Sequence, residues 1–332
     1  MKSPVRFLLA LLCLPGAAPA APRTFAYVLQ AEALAPSRPA AARLLAGCDR
    51  DWIVLDPSYD ASPEGKWTPA DIRSIRRGKP GRSVLAYLSI GEAEDYRPYW
   101  NPAWDADRDG APDASAPAWL GAENPDWKGN YAVRYWQADW QRIVLSQLED
   151  ILQAGFDGAY LDLVDAFESF EHDPAQGEWI DHRPNPETGV PYRQEMAAWV
   201  RRLADLARQT HPGFLVVPQN GVQLLEDDAF RNTISAIGVE DLFTEGDRAQ
   251  PSAHVAFALG FLQRLPPEST PVLLIEYGTR PAAARRALRG AAENGFLLLR
   301  TDRGLKTLGT SLPPALIPSP ASAAEAPAPT PR

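Results

Sequence analysis

The alternation of short apolar runs with amphipathic helical patterns constrains the fold of this chain more than any other feature. Several of the runs are apolar almost throughout, as in parallel strands that are buried on both faces. Eight strands that alternate with helices predict a (β/α)8 barrel of the TIM type, an α/β fold. A doubly wound open sheet is the alternative, but no G-x-G-x-x-G follows the first run, so a dinucleotide site has no support. The eight runs are residues 25–30, 51–56, 83–90, 156–163, 213–218, 234–240, 272–277 and 296–300.

The helical patterns between the runs carry their own start and stop signals. Thr68 stands before a proline, which predicts a helix N-cap with Pro at the first helical position. The patterns over residues 138–154 and 281–293 run into Gly155 and Gly295, and glycine is the residue that most often ends a helix.

The two ends of the chain differ from the body. Residues 1–20 combine basic Lys2 and Arg6 with an apolar run and an A-x-A site, which predicts a cleaved signal peptide and a secreted or periplasmic protein. Residues 311–332 consist mainly of Pro, Ala and Ser, which predicts a disordered tail. A single catalytic domain is therefore expected over residues 21–310, with a Trp-rich insertion after the third strand. No later segment is apolar for long enough to predict a membrane span.

Charge and composition exclude several classes of partner and site. The chain has 33 basic and 42 acidic residues and a formal net charge of −9, which argues against a nucleic-acid partner. Four His and two Cys are too few to favour a His/Cys metal centre. The sequence lacks the G-x-S-x-G motif of serine hydrolases, the H-E-x-x-H motif of zinc proteases and the Walker phosphate-binding loop. No cofactor requirement is expected.

Polar side chains follow nearly every predicted strand, where a barrel of this type assembles its active site. Carboxylates dominate, as in Asp56, Asp162, Glu240 and Glu276. A pocket rich in carboxylates and poor in His suits glycoside hydrolysis, in which two carboxyl groups flank the scissile bond. Aromatic rings could wall such a cleft by stacking on sugar rings, although core packing is an equally good explanation for each one. Six of the ten Trp residues fall between the third and fourth predicted strands, at positions 100, 104, 119, 127, 136 and 140.

Several longer blocks resemble glycoside hydrolase family 114, the endo-α-1,4-polygalactosaminidases and their relatives. The resemblance covers about residues 24–305, and characterised members cut α-1,4-linked galactosamine polymers, which are cationic when de-N-acetylated. An acidic protein suits such a polysaccharide partner. The blocks are LAYLSIGEAE at 85–94, the segment from PAWLG through ENPDW to NY at 117–131, GFDGAYLD at 155–162, VPQNG at 217–221 and GVEDLF at 238–243.

The resemblance implies that Asp162 and Glu240 are the catalytic pair. We expect Asp162 to act as nucleophile or base and Glu240 as general acid/base, with the reverse assignment open. Glu276, after the seventh strand, is the main rival for the nucleophile. The candidate substrate-binding residues are Asp56, Tyr87, Glu92, Tyr160, Asp165, Asn220, Glu276 and Tyr277.

A separate D-x-D-x-D-G motif comprises Asp105, Asp107 and Asp109 before Gly110. Oxygen ligands at alternate positions followed by Gly resemble the first half of a calcium loop. Ala116 stands where the bidentate Glu is expected, so a solvated polar turn is the alternative.

The leading functional prediction is therefore a secreted endo-acting glycosidase for a galactosamine-type polysaccharide. A glycosidase for a different glycan and a non-catalytic carbohydrate-binding barrel are the alternatives.

Overall fold

The computed structural model describes residues 21–313. The predicted signal peptide and residues 314–332 of the predicted tail lie outside this range. Within it, no helix has the length and apolar character needed to cross a membrane.

Eight parallel strands form the barrel, and each coincides with one of the predicted runs, slightly shortened. The first five pair in chain order in one sheet, and the last three pair in a second. A parallel bridge between Gln219 and Gly238 joins the two sheets. The strands are β1 (Phe25–Val28), β2 (Trp52–Leu55), β3 (Ser83–Ser89), β4 (Gly158–Asp162), β5 (Leu215–Pro218), β6 (Ile237–Glu240), β7 (Val272–Glu276) and β8 (Leu297–Arg300).

The seam between β8 and β1 is closed by the end of the described chain. Residues Thr310–Leu312 form a strand antiparallel to β8, and the Ser311 hydroxyl accepts a hydrogen bond from the Phe25 amide at 2.9 Å. The Leu29 amide also donates to the Leu305 carbonyl at 3.0 Å. The predicted boundary at residue 310 therefore falls inside an ordered strand, because this segment satisfies the backbone groups at the barrel edge.

Helices cover the outside of the barrel, and several of them begin or end at the residues that the sequence predicts. Thr68 and Asp71 form a reciprocal capping box at the start of the helix Pro69–Arg77. Gly155 and Gly295 take left-handed φ values of 82° and 70° at the ends of the helices Ala138–Ala154 and Pro281–Asn294. The helices are α1 (Arg38–Gly47), α2 (Pro69–Arg77), α3 (Ala138–Ala154), α4 (Phe167–Glu171), α5 (Tyr192–Thr210), α6 (Asp228–Thr233), α7 (Ser252–Leu262) and α8 (Pro281–Asn294).

Two apolar cores result from the alternation of side chains along the strands. One lies between the strands and the helices, and the other fills the barrel interior. In the interior, the Tyr27 ring of β1 meets the Tyr160 ring of β4 with centroids 4.8 Å apart. Contact between strands that are not neighbours in the sheet is what a closed barrel requires. Interior residues include Phe25, Tyr27, Trp52, Val54, Leu85, Tyr87, Tyr160, Leu215, Val217, Leu273, Ile275, Tyr277, Leu297 and Leu299.

The Trp-rich insertion between β3 and α3 is organised around a small antiparallel sheet of Glu92–Glu94, Leu120–Glu123 and Asn130–Val133. Trp104 packs edge-on against Trp119 with ring centroids 5.3 Å apart, and similar contacts extend to its neighbours. Of the two explanations for these indoles, core packing holds for most of them, because they pack against one another in and beside the insertion. The packed indoles are Trp100, Trp104, Trp119 and Trp140, and Trp136 packs on Phe170 and Tyr192.

Candidate active site

A cavity of about 520 Å³ opens at the carboxyl ends of the barrel strands. The strands deliver inward-pointing side chains to one mouth, which is where barrels of this type hold their active sites. Eight of the ten predicted site residues line this cavity: Asp56, Tyr87, Glu92, Asp162, Asp165, Asn220, Glu240 and Tyr277.

Asp162 is the last residue of β4, and its carboxylate is held from two sides. The Tyr87 hydroxyl donates to Oδ2 at 2.9 Å, and the Leu163 amide donates to Oδ1 at 2.9 Å. Burial raises the pKa of Asp162 to about 6, although both hydrogen bonds oppose the shift by favouring the ionised form.

Glu240 is the last residue of β6, and its side chain accepts a hydrogen bond from the Tyr277 hydroxyl. Burial, followed by the negative charge of Asp162, raises the pKa of Glu240 to about 7. The charge of Asp162 therefore acts on Glu240 across the cavity. Near neutral pH, Glu240 holds its proton to a higher pH than Asp162 does, so one group can act as acid while the other is ionised.

Asn220, in the loop after β5, contacts both β6 and the loop after β4. Its backbone is left-handed, with φ of 57°, and its backbone N–H donates to the Gly238 carbonyl at 2.8 Å. Its side-chain oxygen accepts from the Glu240 amide at 3.1 Å. Burial and then the charge of Asp162 raise the pKa of Asp165 to about 8, while Asn220 favours the ionised form.

Asp56 and Glu92 line the cavity with their carboxylates already engaged. Arg97 binds Asp56 through two guanidinium nitrogens, at 3.1 and 2.7 Å, and Glu94 through Nε at 2.6 Å. The amides of Asn124 and Asn130 donate to the Glu92 carboxylate at 2.8 and 3.2 Å. Both carboxylates are thus fixed in place before any ligand arrives.

Two predicted site residues lie elsewhere. Glu276 precedes the inward-pointing Tyr277 and so faces the helical layer, where it accepts from the Phe243 amide at 2.8 Å and from the Thr244 hydroxyl. Tyr160 does point inward, but it lies one layer below Asp162 and its hydroxyl bonds to Gln219. Both side chains are almost fully buried and neither lines the cavity, so the structure gives no support to substrate binding by either residue or to Glu276 as the nucleophile.

Further residues complete the cavity. Trp127 and Lys128 come from the insertion, and Trp127 remains 55% exposed. Of the six tryptophans that could wall a cleft, Trp127 is the one that lines this cavity. Arg303, after β8, lies with its guanidinium 4.0 Å from the Tyr277 ring centroid and pairs with Asp241 at 2.6 Å. The sequence reasoning missed Lys128 and Arg303, because the pattern of polar residues at strand ends does not indicate which side chains of long loops reach the cavity.

The structure brings Asp105, Asp107 and Asp109 together, with carboxylate oxygens within 4.8 Å of one another. The Asp105 carboxylate accepts from the Tyr131 hydroxyl at 2.6 Å and from the Asp109 and Gly110 amides. The same contacts suit a self-contained polar turn, so calcium binding at this site stays a prediction.

A second, larger cavity of about 890 Å³ lies on the flank, between the insertion, α2 and α3. It is lined mainly by apolar side chains such as Trp67 and Trp119, and its acids, Asp139 and Asp150, are exposed. It has no pair of buried, interacting carboxyl groups. The chemistry therefore belongs to the smaller cavity, and Arg97 lines both.

Comparisons with known proteins agree with this architecture. An uncharacterized protein of Deinococcus radiodurans is 34% identical over 258 residues, which is 77% of this chain and 74% of the relative. Uncharacterized protein MJ1477 of Methanocaldococcus jannaschii is 35% identical over 271 residues, 78% of this chain and 72% of the relative.

Two solved structures share the fold. The glycoside hydrolase domain of PelA from Pseudomonas aeruginosa matches with a TM-score of 0.58 and 21% identity, over 88% of this chain and 99% of that domain. Ega3 of Aspergillus fumigatus, in complex with galactosamine, matches with a TM-score of 0.59 and 17% identity, over 89% and 97%. The model of glycoside-hydrolase family GH114 matches residues 17–313. The chain therefore belongs to glycoside-hydrolase family GH114.

Proposed function

We propose that this protein is an exported endo-acting glycosidase that cleaves α-1,4-linked galactosamine polymers. The observation that carries the proposal is the convergence of Asp162 and Glu240 on one cavity, where burial and then the charge of Asp162 raise the pKa of Glu240. Two interacting carboxyl groups are the minimum that acid-catalysed glycoside cleavage needs.

Glu240 is the proposed general acid and Asp162 the proposed nucleophile or base. The pKa of Glu240, about 7, is higher than that of Asp162, about 6, so Glu240 keeps its proton to a higher pH. Glu240 would give this proton to the glycosidic oxygen as the bond to the anomeric carbon breaks. The Asp162 carboxylate would then attack that carbon, or take a proton from the water that attacks it.

The galactosamine-polymer substrate is supported by chemistry and by family membership. Galactosamine is the sugar in the Ega3 complex, and that protein shares this fold. The cavity combines the carboxyl groups of Glu92, Asp162 and Asp165 with the half-exposed indole of Trp127. Carboxyl oxygens can accept hydrogen bonds from an ammonium group, and an indole suits the apolar face of a pyranose ring.

Export is proposed from the leader-like composition of residues 1–20. Detection of a mature chain beginning at Ala21 outside the cytoplasm would support it.

The test of the activity is mass spectrometry of oligosaccharides released from de-N-acetylated and N-acetylated galactosamine polymers. We expect release by the wild type, and a loss of at least about 10³-fold in Asp162→Asn and Glu240→Gln, because each removes one of the two reacting groups. Glu276→Gln is the matched control, since Glu276 lies outside the cavity. Full activity in both catalytic variants would refute the assignment, and binding without release would favour a carbohydrate-binding barrel.

A further inference from the structure

An exposed tryptophan on the loop after β4 is not used by the proposed reaction. Trp179 is 65% exposed and does not line the catalytic cavity. It ends a two-stranded hairpin formed by His172–Asp173 and Glu178–Trp179. Single exposed apolar residues are common on protein surfaces, so exposure alone would carry no argument.

The indole is held by a rigid support. The His172 ring packs beside it with centroids 5.1 Å apart. The guanidinium of Arg183 donates to the Phe170 and His172 carbonyls at 3.0 and 2.8 Å, and the Ile180 amide donates to the Glu171 carbonyl at 2.9 Å. The loop thus presents a large aromatic face to solvent at a small cost in conformational entropy.

The base of the loop is fixed just as firmly to α5. Arg193 and Glu171 form a buried ion pair with nitrogen–oxygen distances of 2.5 to 3.1 Å, and Phe167 is fully buried beneath them. Arg193 also binds Asp181 on the far side of the hairpin at 2.7 Å. Burying two charges costs free energy unless they are well hydrogen-bonded. Here Arg193 of α5 bonds Glu171 before the hairpin and Asp181 after it.

Location and charge suggest what the indole meets. The loop begins directly after Asp162, so it belongs to the face of the barrel on which the cavity opens. From residue 163 to residue 191 it contains seven acidic residues and one basic residue, Arg183. Glu178 is exposed beside Trp179. An aromatic plate with acidic neighbours is complementary to a pyranose that carries an ammonium group.

We infer that Trp179 is a remote sugar-binding platform that holds a galactosamine unit of the polymer outside the catalytic cavity. The inference rests on the proposed function. It implies that the platform contributes to the binding of long chains and contributes nothing to short ones that end inside the cavity.

The experiment compares KM and kcat on the de-N-acetylated galactosamine polymer with those on a short oligosaccharide of the same sugar. In Trp179→Ala we expect KM for the polymer to rise roughly three- to tenfold, with kcat and the short-substrate constants unchanged. Trp179→Tyr, which keeps an aromatic face, should recover most of the loss. Phe257→Ala is the matched control, because Phe257 is 52% exposed on the outer helix α7.

The outcomes separate the two proposals. A wild type that releases nothing from either substrate overturns the proposed function. An active wild type whose polymer KM is the same in Trp179→Ala overturns the platform alone. Equal losses on the short and the long substrate also overturn it, since they would indicate a disturbed catalytic face. Polymer binding by Glu240→Gln, with and without Trp179→Ala, gives the same comparison without turnover.

Discussion

At the scale of single residues, the cavity is built to keep carboxyl groups protonated at unusually high pH. Burial is the leading cause for Asp162, Asp165 and Glu240, and negative neighbours add to it for all three. A raised carboxyl pKa means that the neutral form persists up to that pH. If Glu240 acts as the acid, activity must fall as pH rises through about 7, and if Asp162 acts as the base, it must fall as pH drops through about 6.

A narrow, bell-shaped dependence of kcat/KM on pH is therefore expected, and Tyr277 offers a way to test its alkaline limb. The Tyr277 hydroxyl donates to Glu240 and favours the ionised form, so it lowers the pKa of Glu240. Tyr277→Phe should raise that pKa and move the alkaline limb to higher pH. Tyr96→Phe is the control, because its hydroxyl also lies in the cavity but donates to Glu94. An unshifted limb in Tyr277→Phe would contradict the assignment of that limb to Glu240.

At the scale of elements, the alternation of side chains along a strand explains which predicted site residues reach the barrel mouth and which do not. Asp162 is in phase with the interior residue Tyr160, and Tyr277 with Ile275, so each reaches the barrel mouth. Glu276 lies between two interior residues and therefore points outward, and this could have been predicted from the alternation of side chains along the strand. The depth of the Tyr160 side chain in the barrel was harder to predict from the sequence, because it depends on how neighbouring strands are staggered. The register pairs Tyr87 with Tyr160 and Ser89 with Asp162, and no local pattern specifies that pairing.

Gly238 in β6 tests how tightly the layer below the catalytic pair is packed. A Cβ atom there would lie 1.8 Å from the Tyr160 hydroxyl and 2.3 Å from Oε1 of Gln219. Because this layer is buried inside the barrel, Gly238→Ala should lower the free energy of unfolding by about 1–3 kcal/mol and reduce kcat by displacing Asp162 or Glu240. Denaturant unfolding and kinetics measure the two effects. Gly213→Ala is the matched control, because no heavy atom lies within 4 Å of its added Cβ. Equal free energies of unfolding in the two variants would show that the layer below Asp162 and Glu240 is loosely packed.

At the scale of the whole molecule, the barrel was predictable because each strand and helix carries its own local pattern. The Trp-rich insertion was not, because its order depends on contacts between residues far apart in the chain. Trp119 packs against both Trp104 and Trp140, whereas Trp127, eight residues later, is left to line the cavity. Nothing in the spacing of these tryptophans separates the core indoles from the exposed one. The closing contact between Phe25 and Ser311 is equally non-local.

The net charge of −9 also acts at the scale of the molecule. It attracts a cationic polymer over distances comparable to the Debye length, which falls from about 10 Å at 0.1 M salt to about 3 Å at 1 M. We therefore expect KM for the de-N-acetylated polymer to rise several-fold across this range, with a smaller effect on kcat. The fully N-acetylated polymer is neutral, so its KM should stay nearly constant and corrects for general effects of salt. Parallel salt dependence for the two polymers would mean that charge does not select the substrate, and that recognition depends on the sugar ring and its linkage instead.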